Sequence, residues 1–256
     1  MENKFIRNEL LLGEEVCKKL SKLSILVVGV GGVGGYAIES LVRLGVSNFT
    51  LVDNDIVDIS NFNRQIIATN SNLNQDKVEA FKQRILDINE DAKVDCKMMF
   101  YNKENEKLIF DKHYDFVIDA IDTLTCKWEL IKTCLDKKIP FISSMGMANK
   151  LDLKKIEITT LNKTVNDPVS KKIREFARKD NINLKDIPVV FSSELPYRQN
   201  KIINEEGVSI KQRIPPSSII FTPAVAGLLI GQYILEKTME QWFFYCWWLW
   251  YYNSRW

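Results

Sequence analysis

Short, wholly apolar runs alternate with segments of helical period along the first 145 residues of the chain. Ser24 to Gly29 (Ser-Ile-Leu-Val-Val-Gly) is apolar at successive positions, which suits a strand buried on both faces of a parallel sheet. A helix is expected from about Gly34 to Leu44, and Phe49 to Val52 reads as the next buried strand. Val78, Phe81, Ile85 and Ile88 recur at helical spacing and predict a helix from Asn74, its N-cap, to Ile88. Val94 to Met99 reads as a third strand, Tyr114 to Ile118 as a fourth closing on Asp119, and Ile139 to Ser143 as a fifth after a helix at 124–136. Such alternation predicts an α/β fold: a doubly wound, Rossmann-like, mostly parallel sheet with a mixed α+β C-terminal half.

Past residue 145 the texture changes. Lys154 to Thr160 reads as a strand, Asp167-Pro168 opens a helix running to about Lys179, and 180–217 is polar and reads as loop. Ile219 to Leu235 is apolar but interrupted by Pro223, Gly227 and Gly231, and burial is favoured over a membrane. Trp242 to Trp256 holds ten aromatic residues in fifteen, so interfacial anchoring, a partner contact and an altered reading frame all stay open for it. The organisation expected is a nucleotide-binding region over 1–150, an extension of the same domain over 151–239 and an aromatic tail over 240–256.

Composition narrows the classes. With 46% hydrophobic and 27% charged residues among 256, the chain can bury a sizeable core and is not disordered. Its net charge of +2 gives no global attraction to nucleic acid, so such contact needs a local patch. Residues 163–185 supply one, with seven Lys or Arg against three acids. Five cysteines without a CxxC pair argue against a structural zinc site, and the single histidine, His113, excludes mechanisms that need two. Met1 to Leu12 lacks the pattern of a secretory signal, so a cytoplasmic chain is expected.

Gly29-Val30-Gly31-Gly32-Val33-Gly34 satisfies GxGxxG between a predicted strand and a predicted helix, and Asp53 closes the next strand nineteen positions on. Glycines let the backbone approach a phosphate, helix N-terminal amides donate to it, and Asp53 accepts from a ribose. The alternative is a tight turn without a ligand. Lys77 falls where the macrodipole of its helix disfavours a cation, which makes sense if an anion lies between it and the amides. Arg64 as a second phosphate clamp and Asp122, paired with Asp119, as a magnesium ligand complete a triphosphate site.

Taken together, Gly29 to Gly34, Asp53, Asn61-x-x-Arg64-Gln65, Lys77 and Asp119-x-x-Asp122 resemble the adenylation domain of the ThiF and ubiquitin-activating-enzyme superfamily. The resemblance implies a homodimeric enzyme that activates a carboxylate with ATP and magnesium. In it Asp53 holds the ribose, Asn61 and Arg64 contact phosphates, Lys77 neutralises the triphosphate and Asp122 binds the metal. Asp55 and Gln65 join the nucleotide contacts, and an N-terminal arginine, here Arg7, reaches a partner's ATP.

Residues 146–152, 163–169 and 190–194 are similar to the tRNA threonylcarbamoyladenosine dehydratase branch, which closes a modified adenosine beside the anticodon into a ring. That branch implies tRNA as substrate and a sulfur-transfer protein as a further partner. Lys171, Lys172, Arg174 and Arg178 are then the first candidates for tRNA phosphates, followed by Arg198, Lys201, Lys211 and Arg213. Cys126 and Cys134 sit in a predicted helix and read as packing, and Val189-Val190 stand where some relatives carry a cysteine. Two competing readings are adenylation of a sulfur carrier's C-terminus and a nucleotide-binding scaffold without turnover.

Overall fold

The computed structural model describes residues 3–198 and 216–253, with only the helical backbone of 241–253. Lys201, Lys211, Arg213 and the side chains of the aromatic tail therefore lie outside the described residues.

Two short helices, α1 (Ile6–Leu12) and α2 (Glu14–Lys22), precede β1 (Ser24–Val28), α3 (Gly34–Arg43) and β2 (Asn48–Val52). Then come α4 (Lys77–Ile88), β3 (Lys93–Lys97), α5 (Glu106–Ile109), β4 (Phe116–Asp119), α6 (Leu124–Lys137) and β5 (Phe141–Ser144). The remainder holds β6 (Ile156–Thr160), α7 (Pro168–Lys179), β7 (Pro188–Ser192) and α8 (Phe221–Asn253). The strands form one sheet in the order β3-β2-β1-β4-β5-β7-β6, parallel except for β6, which runs antiparallel to β7.

Burial on both faces explains the continuous apolar runs. Ile25 and Val27 of β1 face the core shared with α3 and α8, whereas Leu26 and Val28 face the one shared with α6 and α7. The chain crosses to the other side of the sheet between β1 and β4, which opens a crevice above the carboxyl ends of those neighbouring strands.

Two expectations change. The helix expected from Asn74 begins at Lys77 with Asp76 at its N-cap, while Asn74 takes a left-handed turn at φ 67°. The segment read as loop over 180–217 contains β7, whose Val189, Val190 and Phe191 are buried as the strand between β5 and β6. Only Val189, Val190 and Phe191 are apolar between Pro188 and Ser192, fewer than the roughly four to eight that mark a buried strand in sequence. At the opposite edge β3 places Lys93, Asp95 and Lys97 on a half-exposed strand, and Lys112 pairs with Asp95 at 3.0 Å.

The apolar stretch after Ile219 is buried as the first half of α8, with Ala226, Ile230 and Ile234 against the core along α3. Among the described residues no helix is long and apolar enough to cross a membrane. Gly227 permits this contact: a Cβ there would lie 2.7 Å from Tyr36 Cβ and 2.8 Å from the Ala37 backbone nitrogen, and would strike the Val33 carbonyl. In an open helix Gly→Ala gains about 1 kcal/mol. Here the collision with backbone wins, and Gly227→Ala should cost about 1–3 kcal/mol. A lower urea midpoint at unchanged slope would report it.

Candidate active site

Gly29 ends β1 at φ 91°, and its amide donates to the Val52 carbonyl at 2.8 Å. A side chain there would come within 2.6 Å of the Ala120 carbonyl, and one at Gly34 would strike the carbonyl of Gly29. The first and last glycines of the motif therefore serve close backbone packing. Gly31 and Gly32, together with Gly29, line a crevice of about 720 Å³. No side chain caps α3, and because the Gly35 amide already donates to the Gly31 carbonyl at 2.9 Å, the amides before it in the glycine turn are the ones open to an anion.

The other expected nucleotide contacts, Asp53, Asp55, Asn61, Arg64, Gln65 and Lys77, line the same crevice, as does Asp122 from the loop after β4. Gly34 alone of the expected set is not on its wall. Asp53 accepts from the Val30 amide at 2.8 Å and the Asp55 amide at 2.9 Å, locking the glycine turn to the end of β2. Asn61 caps its own short turn by accepting from the Asp58 amide at 3.1 Å. Arg64 is held over that turn by donating to the Ser60 carbonyl at 2.8 Å. Gln65 is buried, and its Oε1 has no partner in the protein. An unpaired buried acceptor costs about 1–3 kcal/mol, so its place in the wall points to a donor on a ligand.

Lys77 carries its own anion. Its side chain is 6% exposed, and Nζ lies 2.7 Å from Oδ2 of the much more exposed Asp55. The carboxylate that offsets the cation is thus Asp55, which serves Lys77 directly; both still face the crevice.

The paired-carboxylate expectation at Asp119 and Asp122 fails. Asp119 is buried, accepting from Lys127 Nζ at 2.9 Å and from the Ser143 hydroxyl at 2.5 Å, so its oxygens are already engaged. Asp122 is exposed at the mouth and is the carboxylate left for a metal. Lys127, which also lines the crevice, was not anticipated. Its signal was a lone lysine in the apolar stripe of α6 that continues through Ile131 and Cys134. The neutral wall from Met145 to Ala148 was likewise missed as part of the site.

The basic helix α7 is less uniform than its composition. Arg174 is partly buried and tied to the Thr164 carbonyl at 2.9 Å, whereas Lys171, Lys172 and Arg178 are exposed, Lys172 pairing with Glu175 at 2.8 Å. Arg198 is exposed too, and Arg7 stands exposed on α1. Cys126 and Cys134 are buried in α6, and burial pushes the Cys134 thiol well above its ordinary range, away from a reactive thiolate.

Comparison with known proteins agrees with this geometry. The ThiF family matches residues 5–239. A tRNA threonylcarbamoyladenosine dehydratase of Bacillus subtilis is 43% identical over 94% of this chain and 96% of its own length. The enzyme of that name from Escherichia coli is 36% identical over 74% of each chain. A crystal structure of E. coli tRNA N6-threonylcarbamoyladenosine dehydratase in complex with ATP superposes with a TM-score of 0.82 at 31% identity, covering 93% of this chain and 94% of that one.

Burial raises the Asp53 carboxyl above its ordinary value, opposed by the Lys77 charge and the two amides. The folded state then favours the protonated acid, so ionisation as pH rises through the folded pKa costs stability. Binding runs the other way. A hydroxyl donor needs the ionised form, so nucleotide affinity is complete above the raised pKa and falls as pH drops through it. Calorimetric ATP titrations should show this loss beginning above the usual aspartate range, and Asp53→Asn should bind weakly without that step.

Proposed function

Because the chain belongs to the ThiF family, we propose that it activates a carboxylate with ATP and that this carboxylate is the threonylcarbamoyl group of a modified adenosine in tRNA, next to the anticodon. The convergence of Arg64, Lys77 and Asp122 with the open glycine turn on one crevice carries the reading.

The substrate carboxylate attacks the α-phosphorus of ATP; a P–O bond forms, the bond to the bridging oxygen breaks and pyrophosphate leaves. An atom of the substrate's own carbamoyl group then attacks the acyl carbon and AMP departs with the former carboxylate oxygen, closing the ring with loss of a proton. The net change is dehydration at the expense of ATP, and no protein nucleophile is required. The buried thiols of α6 suit a reaction of this kind.

Each side chain has a definable share. The amides at the start of α3 and the cations of Arg64 and Lys77 offset charge on the phosphates, and Asp53 orients the ribose. Magnesium is commonly held by one or two carboxylates together with substrate phosphates, which a single exposed Asp122 at the mouth would satisfy. The ion would supply further neutralisation of the leaving pyrophosphate.

A homodimer belongs to the same reading. The exposed Ile6, Leu10 and Leu11 of α1, beside Arg7, offer an apolar surface for a second copy to cover. For tRNA, Lys171 and Arg178 on the exposed side of α7 supply phosphate contacts. A sulfur carrier's tail as substrate finds no comparable support, and a sulfur-transfer partner remains a separate proposal.

Pyrophosphate release should require both ATP and tRNA bearing threonylcarbamoyladenosine; release with unmodified tRNA or with a sulfur carrier instead would refute this substrate. Lys77→Ala, Arg64→Ala and Asp122→Asn should each lower kcat by about 10²–10³-fold. On α7, Lys171→Ala and Arg178→Ala should each reduce the slope of tRNA affinity against log salt by about one. A parallel loss of ATP affinity would remove them from the tRNA surface.

A further inference from the structure

The charged groups lining the crevice come from the segments after β2 and β4 and from the starts of α4 and α6. The lining at the end of β5, along the loop after it and at the start of α7 is neutral: Ser144, Met145, Gly146, Met147, Ala148 and Val169. Phosphates belong with the charged lining, and the uncharged base and ribose of a nucleoside fit the neutral one.

That neutral wall is held by groups of the opposite character. Just behind it Lys150 Nζ lies 2.7 Å from Asp167 Oδ2 and donates to the Ser192 carbonyl at 2.9 Å, and both charged side chains are 1% exposed or less. The other oxygen of Asp167 caps α7 by accepting from the Ser170 amide at 2.6 Å, and the Gly146 amide approaches it at 3.5 Å. Glu194, also buried, accepts from the Leu151 and Asp152 amides at 2.8 and 2.9 Å. One loop, 145–152, is thereby fastened to the end of β7 and to the start of α7. The fit is close, because a Cβ on Gly146 would lie 2.8 Å from Asp167 Oδ2 and 3.1 Å from Val169 Cγ2.

Stability alone does not call for such a pair. Two apolar side chains of similar volume would serve as well or better, since burying the ions costs about what their attraction returns. What the ion pair adds is geometry: a single allowed distance between α7, whose exposed side carries Lys171 and Arg178, and the wall of the crevice.

We propose that Lys150 and Asp167 are positioning residues for the tRNA substrate, setting the Met145–Ala148 wall against α7 so that the modified nucleoside meets the ATP bound against the charged lining. This inference rests on the tRNA reading above. The pair touches neither the glycine turn nor Asp53, so its disturbance separates the two substrates.

The experiment compares the full chain with Asp167→Asn and Gly146→Ala, using steady-state pyrophosphate release with modified tRNA and calorimetric binding of ATP alone. Asn keeps an acceptor for the Ser170 amide and removes the charge opposite Lys150. Gly146→Ala leaves every charge in place and pushes the wall, so it decides the matter if Asp167→Asn does not fold. In both variants kcat/KM for tRNA should fall by about 10–100-fold, the scale of a small misplacement of a reacting group. ATP affinity and KM for ATP should stay within about twofold of the unaltered chain, since their contacts are untouched. Parallel loss of both substrates marks a merely structural pair and overturns the proposal, as does no change in either. A wild-type chain that binds ATP yet releases no pyrophosphate with modified tRNA is a different result: it removes the functional reading and this inference together.

Discussion

The site depends on the absence of two side chains. With no Cβ at Gly29 or Gly34, the backbone leaving β1 passes against Ala120 on the loop after β4 and against the first turn of α3. That approach brings the amide end of α3, the carboxyl end of β2 and the loop bearing Asp122 into one crevice. Asp53 then bridges the turn to β2 through its two amide bonds. The restriction reaches α8 as well, whose Pro223 would be 3.3 Å from a Cβ on Gly32.

Much of this was legible from local pattern. Buried strands announce themselves as unbroken apolar runs, and GxGxxG between strand and helix requires backbone proximity, so the first five strands and the crevice with Asp53 followed from spacing, whereas Arg64, Lys77 and Asp122 were expected there from their charge and from the family resemblance. Relationships that depend on distant partners did not. Asp119 looks like a free carboxylate until Lys127 and Ser143 are seen to take its oxygens. Lys77 looks unbalanced until the chain folds Asp55 against it. The strand β7 is apolar for too few residues to declare itself, and its place between β5 and β6 is set by the sheet.

Buried cations recur around the crevice. Lys127 and Lys150 are almost wholly enclosed and Lys77 nearly so, each against an aspartate. Removing one partner of a buried pair is costly, commonly about 3–5 kcal/mol, because the other charge is left without a counterion. Each pair therefore joins two separate elements, 8, 17 and 22 positions apart, with little tolerance for slack: α6 to β4, the loop after β5 to α7, and α4 to the loop after β2. A reaction that must bring a carboxylate onto a phosphorus atom benefits from walls that do not yield.

The charged outer strand β3 bears on crowding. Lys93, Asp95 and Lys97 would have to shed their water before a foreign strand could zip alongside. That flank of the sheet resists seeding fibrils.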